Sequence, residues 1–309
     1  MLVTAMADVD DHDAVRPQGY RSACGEMVHA DASALFGRLE GGVVDLVMTS
    51  PPFALTRSKE YGNVDADAYV DWFTPVGRQI QRVLRPTGSL VLDIGGAWTP
   101  GLPTRRLYHF ELLVSLVRDL GFHLAQEFYW YNPSRLPTPA EWVTVRRVRV
   151  KDAVNTIWWL SKTPHPKADN RQVLRPYSDS QQALMRDGYK AARRPSGHVI
   201  SESGFSKNNG GAIPPNLLTI ANTESNTDYL KRCRSAGSRP HPARYPRSLV
   251  EFFVKFLTDA GDLVVDPFAG SNVTGMVCED MGRRWLSGDV DAGYVANSRL
   301  RFPQAVDLG

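Results

Sequence analysis

The chain has 309 residues, 42% hydrophobic and 22% charged; this ordinary globular usage leaves room for one large α/β core plus a substantial insertion and excludes wholesale disorder and fibrous repeats. No apolar run approaches the roughly 20 residues that span a bilayer, and the first residues are acidic (Asp8, Asp10, Asp11, Asp13) where a secretory leader is basic and then apolar, so no membrane partner and a cytoplasmic location are expected. The net charge of +3 conceals a division, since residues 141–250 hold 19 Lys and Arg against 8 Asp and Glu while the remainder hold 17 against 25; a polyanion would meet the middle of the chain, unless this is only a solvated basic face.

Residues 1–20 mix Asp, Ala and Val without periodicity and are expected to form a mobile N-terminal tail. The apolar run 43–49 (VVDLVMT) predicts a buried strand. Tyr69, Trp72, Phe73, Val76, Ile80 and Val83 share one face of a helix over 69–84, which Pro86 and Gly88 stop. A second buried strand is expected at 89–94 (SLVLDI), a helix at 105–120 ending at Gly121, and a further strand at 124–131. This alternation belongs to an α/β fold with a mainly parallel, doubly wound, Rossmann-like sheet.

From about Asn132 the texture changes to prolines, aromatics and arginines, with loop-like stretches such as 203–215, and the segment reads as an insertion. Regularity returns at Pro246, with an amphipathic helix at 248–257 (SLVEFFVKFL), a strand at 262–266, a glycine turn, a helix reaching Asp280 and a strand at 285–289. The expected organisation is a tail (1–20), one half of an α/β domain (21–134), an inserted region (135–240) and the other half (241–309). Cys24, Cys233 and Cys278 form neither a CxxC pair nor a Cys/His cluster with ligand spacing, so no metal site is expected.

The turn 266–275 (DPFAGSNVTG) follows a strand and opens a helix, a place where parallel sheets bind ligands. Gly270 removes the Cβ that would block close approach, and the turn's amides with the helix N-terminus offer partial positive charge to a carboxylate. An amino-acid-bearing nucleoside fits such a turn. Neither GxGxxG nor GxxxxGK[ST] occurs here, which weakens nicotinamide and nucleoside-triphosphate readings. Asp289, ending the next strand, could accept both ribose hydroxyls or be a solvated strand end; Asp266 could serve the ligand or cap the helix.

The second motif, 49–53 (TSPPF), directly follows the strand 43–49 and so sits at a sheet's carboxyl edge too. Pro51 and Pro52 fix φ and remove two donors, leaving a stiff loop whose carbonyls and Ser50 hydroxyl can act as acceptors, with Phe53 as a flat apolar plate. Such acceptors are what an exocyclic amine needs, because the lone pair of cytosine N4 is delocalised into its ring and must be localised before it attacks an electrophilic methyl in line. Phe53 would stack on an extruded base. Asp93, near the end of the adjacent expected strand, could orient the Ser50 hydroxyl or take the departing proton. Alone, the motif reads rather as a proline-rich turn capping a strand; together with the glycine turn it is far more specific.

At these residues the chain resembles the β-class amino-methyltransferases of DNA, in which SPPY or SPPF precedes the FxGxxT-type cofactor turn, a circularly permuted motif order. The likeness covers nearly all of residues 25–302 and includes 149–163 (RVKDAVNTIWWLSKT), 195–198 (PSGH), 213–218 (IPPNLL) and 241–246 (HPARYP). It implies an S-adenosyl-L-methionine-dependent methyltransferase fold whose seven-stranded sheet has one antiparallel strand. Ser50, Pro51, Pro52 and Phe53 would be the catalytic motif and Asp93 a partner of Ser50. Asp266, Phe268, Gly270, Ser271, Asn272 and Thr274 would form the methionine-side cofactor loop, with Asp289 at the ribose. Asp31 would contact the adenine, although Ala30 replaces the glycine usual before it, and Asn272-Val273 stands where many relatives have Gly-Thr. His241 to Pro246 would line the cofactor pocket.

The resemblance further implies methylation of cytosine N4 in double-stranded DNA, as the protective half of a restriction-modification pair whose endonuclease acts on the same site without binding this chain. N6-adenine methylation remains the alternative enzyme, since the same acceptors activate either amine, but adenine-directed relatives usually carry Asp or Asn at the position of Ser50. C5 methylation is disfavoured because no Pro-Cys pair supplies its thiolate. A non-catalytic DNA-binding protein on a methyltransferase scaffold is the alternative of another class.

If the two ends build the site, residues 135–240 should read the DNA target. Arg146, Arg147, Arg149 and Lys151 form the densest basic cluster, and on a strand Arg147, Arg149 and Lys151 would share a face. Arg193, Arg194, His198 and Lys207 lie among glycines and polar residues, as groove-reading loops would. Trp158 and Trp159, flanked by apolar residues, read as core rather than as a base-stacking platform.

Overall fold

The computed structural model describes residues 18–54, 64–188, 207–223 and 227–308. Its strands are β1 (Gly19–Arg21), β2 (Gly25–His29), β3 (Val44–Thr49), β4 (Leu84–Ile94), β5 (His123–Tyr131), β6 (Val154–Ser161), β7 (Leu217–Thr219), β8 (Leu263–Asp266), β9 (Arg284–Asp289) and β10 (Val306–Leu308). The helices are α1 (Ala32–Gly37), α2 (Tyr69–Val83), α3 (Tyr108–Arg118), α4 (Asp179–Asp187), α5 (Asp228–Ser235), α6 (Arg247–Leu257), α7 (Val273–Asp280) and α8 (Ala292–Ser298). The expected strands and helices outside the insertion are all present, with ends shifted by a few residues.

All ten strands form one sheet in the order β10-β1-β2-β9-β8-β3-β4-β6-β5-β7. Strands β2, β9, β8, β3 and β4 run parallel, and β6 runs antiparallel to both β4 and β5. The seven strands from β2 to β5 therefore contain one antiparallel member, as the resemblance implies. Short strands β1 and β10 extend one edge and β7 the other.

Alternate residues of the central strands enter two cores. Val44, Val47, Leu90, Leu92 and Leu160 pack with α1, α2 and α3 on one face, while Leu46, Met48, Val91, Ile157 and Trp159 pack with α6 and α7 on the other. Burial on both faces is why β3 reads as an uninterrupted apolar run, with all six residues buried.

Two expectations are corrected here. Gly19 and Tyr20, assigned to a mobile tail, belong to β1; Tyr20 is 1% exposed, packs against Trp285 and Phe302, and shares hydrogen bonds with Ser298 and Asn272. The inserted region is also not separate from the core, because β6 from its middle lies between β4 and β5. Its apolar sequence marks it as buried, but only pairing shows that it completes the sheet. Trp158 and Trp159 are accordingly core, at 3% and 7% exposure.

Residues 195–198, including His198, and Arg193 and Arg194 lie outside the described residues, as do 1–17 and 203–206. Among the described residues no helix is long and apolar enough to cross a membrane.

Because Ile157 is fully buried in β6, Ile157→Ala is expected to lower the unfolding free energy by about 2–5 kcal/mol. Urea unfolding followed by circular dichroism checks this, and a midpoint equal to wild type contradicts the central placement of β6.

Candidate active site

The parallel run β9-β8-β3-β4 brings four strand ends to one sheet edge. The proline turn follows β3, the glycine turn follows β8, and Asp93 and Asp289 sit at or near the ends of β4 and β9. One cavity of about 480 Å³ is lined from both turns, by Ser50, Pro51, Pro52, Phe53 and Asp93 on one side and by Phe268, Gly270, Ser271 and Asp289 on the other.

The register that pairs Thr49 with Leu92 sets Ser50 beside Asp93. The Ser50 hydroxyl donates to Asp93 Oδ2 at 3.2 Å, and Asn155 Nδ2 donates to Oδ1 at 3.3 Å. Burial pushes the Asp93 carboxyl up to about 6, against the pull of Asn155, Ser50 and the nearby Arg135 cation. A hydroxyl that gives its proton to a carboxylate keeps its lone pairs for an incoming donor. The turn itself is pinned: Tyr69 donates to the Pro52 carbonyl at 2.7 Å, and the Phe53 ring lies so close to Gly95 that a Cβ there would meet it at 2.6 Å.

On the other side, Gly270 adopts φ +51°, left-handed backbone that favours glycine, and a Cβ there would crowd the His241 ring at 3.1 Å. Its amide donates to Asp289 Oδ2 at 2.8 Å, and the Asp291 amide donates to Oδ1 at 3.0 Å. Burial raises the Asp289 carboxyl even though both amides favour its charged form.

Asp266 is fully buried. It accepts from Thr49 Oγ1 at 2.7 Å, Thr274 Oγ1 at 2.7 Å, the Tyr245 hydroxyl at 2.9 Å and the Phe268 amide at 3.2 Å. It thereby ties the two turns together.

Four of the expected cofactor residues do not line the cavity. Asp266 and Thr274 are engaged in that buried network. Asn272, in left-handed backbone at φ +54°, accepts from the Gly275 amide at 2.9 Å and donates to Tyr20 at 3.0 Å, capping α7 from within. Asp31 is exposed and caps α1 by accepting from the Ala34 amide at 2.8 Å. The residues of 241–246 do reach the cavity, through His241, Pro242, Ala243, Arg244 and Tyr245.

Trp130, Arg135, Asn155 and Asn222 also line it, and sequence reasoning missed them. A single amide inside the apolar strand NTIWWLS was the one available signal, for Asn155. Trp130 lies on β5, where the sequence shows only a strand, and Arg135 and Asn222 come from irregular segments where spacing carries no directional information.

The basic cluster forms neither a helix nor a strand. It follows a π-helical turn (Glu141–Val145), and most of its charge is engaged within the protein. Arg146 pairs with Glu141 at 2.7 Å and lies over Trp142. Arg149 lies 4.1 Å over Trp98 and donates to the Pro103 carbonyl, while Lys151 donates to the Arg135 carbonyl. Arg147 is exposed, in left-handed backbone at φ +54°.

A family model described as DNA methylase, of the N6/N4 methyltransferase type, matches residues 44–299. The chain is 50% identical over 286 residues to the Type II methyltransferase M.PvuII of Proteus hauseri, covering 92% of this chain and 85% of that one. It superposes on the solved PvuII DNA methyltransferase (cytosine-N4-specific) with TM-score 0.76 and 43% identity, over 93% of this chain and 89% of the other. A more distant match, to an M1.HpyAVI–SAM complex at 16% identity and TM-score 0.51, covers 90% of this chain and 98% of the other and shows the shared fold.

Removing the Asn155 donor withdraws stabilisation from the charged form of Asp93, so Asn155→Ala is expected to move its titration midpoint above about 6. A carboxyl-carbon NMR titration reads this directly; an unchanged or lower midpoint would show that the amide does not act on the acid.

Proposed function

The chain belongs to the N6/N4 family of DNA methylases, and on that premise we propose that it transfers a methyl group from S-adenosyl-L-methionine to the N4 amine of a flipped cytosine in double-stranded DNA. The observation that carries this reading is the Ser50–Asp93 pair facing the glycine turn across one cavity. The 50% identity to M.PvuII and the likeness to a structure named cytosine-N4-specific support the choice of amine.

The residues fit the cofactor. A cavity of about 480 Å³ lies in the range of roughly 300–1,000 Å³ that small ligands and cofactors occupy. Gly270 leaves backbone open to close approach, Phe268 offers an aromatic face, and each Asp289 oxygen, having accepted one amide, keeps acceptor capacity for a hydroxyl. Phe268, Gly270, Ser271 and Asp289 would hold the cofactor, and Asp266, Asn272 and Thr274 would hold the turn in shape. Bound there, S-adenosyl-L-methionine supplies an electrophilic methyl on a sulfonium.

The protein's own part is to prepare the amine. The acceptors for the amine hydrogens are Ser50 Oγ and the Pro51 carbonyl, on a turn that Tyr69 fixes through the Pro52 carbonyl. Two hydrogen bonds from the amine localise its lone pair and aim it across the cavity. Phe53 stacks on the extruded base, whose target atom is inaccessible to in-line attack within the duplex. The proton the amine gives up passes to Ser50, whose own proton goes to Asp93, a carboxyl raised close enough to neutrality to receive it. The same reading places the protein's work in the cytoplasm and implies a cognate restriction endonuclease that cuts the same sequence without binding the chain.

Incubating duplex DNA with the protein and labelled cofactor is expected to yield N4-methylcytosine at one defined sequence; N6-methyladenine instead would transfer the reading to adenine, and a wild type that binds no cofactor would reduce it to a DNA-binding scaffold. Ser50→Ala is expected to retain cofactor binding while single-turnover transfer slows about 10²–10⁴-fold. Asp93 accepts a proton only when ionised, so the wild-type transfer rate is expected to fall as pH drops through about 6. A rate that stays flat to pH 5 would remove Asp93 from the proton path.

A further inference from the structure

Behind the glycine turn lies a second recess of about 220 Å³, lined by Asn222, Thr227, Arg244, Tyr245, Val273 and Arg301 together with Pro242. Asn222, Arg244, Tyr245 and Val273 also line the main cavity, so the two spaces adjoin. The recess holds two guanidinium groups, and no carboxylate pairs with either among the described residues.

Arg301 is held rigidly. Its Nε donates to the Ser271 carbonyl at 2.6 Å, Nη2 to the Ser271 hydroxyl at 3.2 Å and Nη1 to the Met276 sulfur at 3.4 Å. Its face lies 4.0 Å from the Tyr229 ring. Nη1 and Nη2 each keep one further hydrogen, in the forked arrangement that suits two oxygens of one group. Arg244 is fixed by its own hydrogen bond to the His241 carbonyl.

Burial pulls the Arg301 guanidinium down to about 10, so it stays charged near neutrality while losing hydration. A desolvated cation with only neutral acceptors lacks the counter-charge such groups normally have. Val273 begins α7, whose amino end adds partial positive charge to the same recess.

We propose that Arg301, assisted by Arg244, forms a carboxylate subsite for the amino-acid end of the sulfonium cofactor. This rests on the proposed function and adds what anchors the cofactor's far end. The turn's own amides are largely committed: Gly270 donates to Asp289, Phe268 to Asp266 and Asn272 to the Ala269 carbonyl. The anionic end is therefore received by side chains behind the turn. A free phosphate or a DNA phosphate would present related oxygens, but the recess opens towards the cofactor loop through the residues it shares with the main cavity.

The test is equilibrium binding to the full-length, DNA-free protein of two probes, S-adenosylhomocysteine and 5′-methylthioadenosine, which share the nucleoside and thioether but differ in the amino-acid carboxylate. Arg301→Gln is expected to weaken S-adenosylhomocysteine roughly 10–100-fold, the usual loss for a hydrogen bond to a charged group, and to leave 5′-methylthioadenosine within about twofold. Arg301→Lys, keeping the charge, should recover part of the loss. Equal weakening of both probes would show Arg301 merely shapes the turn, and weakening of neither would place the carboxylate elsewhere; either overturns the proposal. Unaltered probe binding with a shallower salt dependence of DNA binding would assign the recess to a phosphate and also overturn it. Should Arg301→Gln fail to fold, Arg244→Gln carries the same comparison with the same discriminating outcome. A wild type that binds neither S-adenosylmethionine nor S-adenosylhomocysteine would instead refute the proposed function.

Discussion

The site depends on one buried carboxylate. Asp266 ends β8, and β8 pairs directly with β3, so the acid sits where the glycine turn and the proline turn diverge from the sheet. By accepting from Thr49 on one turn, Thr274 on the other and Tyr245 of the cavity-lining segment 241–245, it converts sheet adjacency into a fixed distance between two loops. An in-line transfer between groups held on separate loops needs that rigidity, because misplacement by about 1 Å can cost 10²-fold in rate.

Asp93 has the contrasting environment. Asp266 is enclosed by three hydroxyls and an amide, whereas Asp93 has two longer bonds and faces the cavity. Similar burial thus serves two purposes, since a carboxylate saturated with short donors fastens its neighbours and one left partly unsatisfied is, on the proposed mechanism, the one that takes the proton. The proline turn fits the second purpose: Tyr69 and Gly95 hold it from behind, so Ser50 presents its oxygen without further ordering.

The charge that marks the middle of the chain is distributed less simply than its count suggests. Arg146, Arg149 and Lys151 are spent on Glu141, Trp98 and backbone carbonyls, among them that of the cavity-lining Arg135. Arg301, outside the basic region, instead donates to the Ser271 carbonyl of the glycine turn. Total charge predicts attraction to a polyanion, but the roles of single cations depend on which partners the fold gives them.

The sequence by itself determined the α/β class, the strands bearing both turns, and the pairing of Ser50 with Asp93, because buried parallel strands are continuous apolar runs and catalytic turns follow their carboxyl ends. It also singled out Gly270 and Asp289, which the fold brings to the cavity, because their residue types suit only a few backbone or acceptor tasks. Only the tertiary structure decided that Asp266, Asn272 and Thr274 brace the turn from within, that Asn155 orients Asp93, and that β6 belongs to the sheet. Each of these depends on which residues distant in sequence meet a given atom. Local spacing specifies a side chain's direction along its own element, whereas its partners are set by strand order and register across the whole chain.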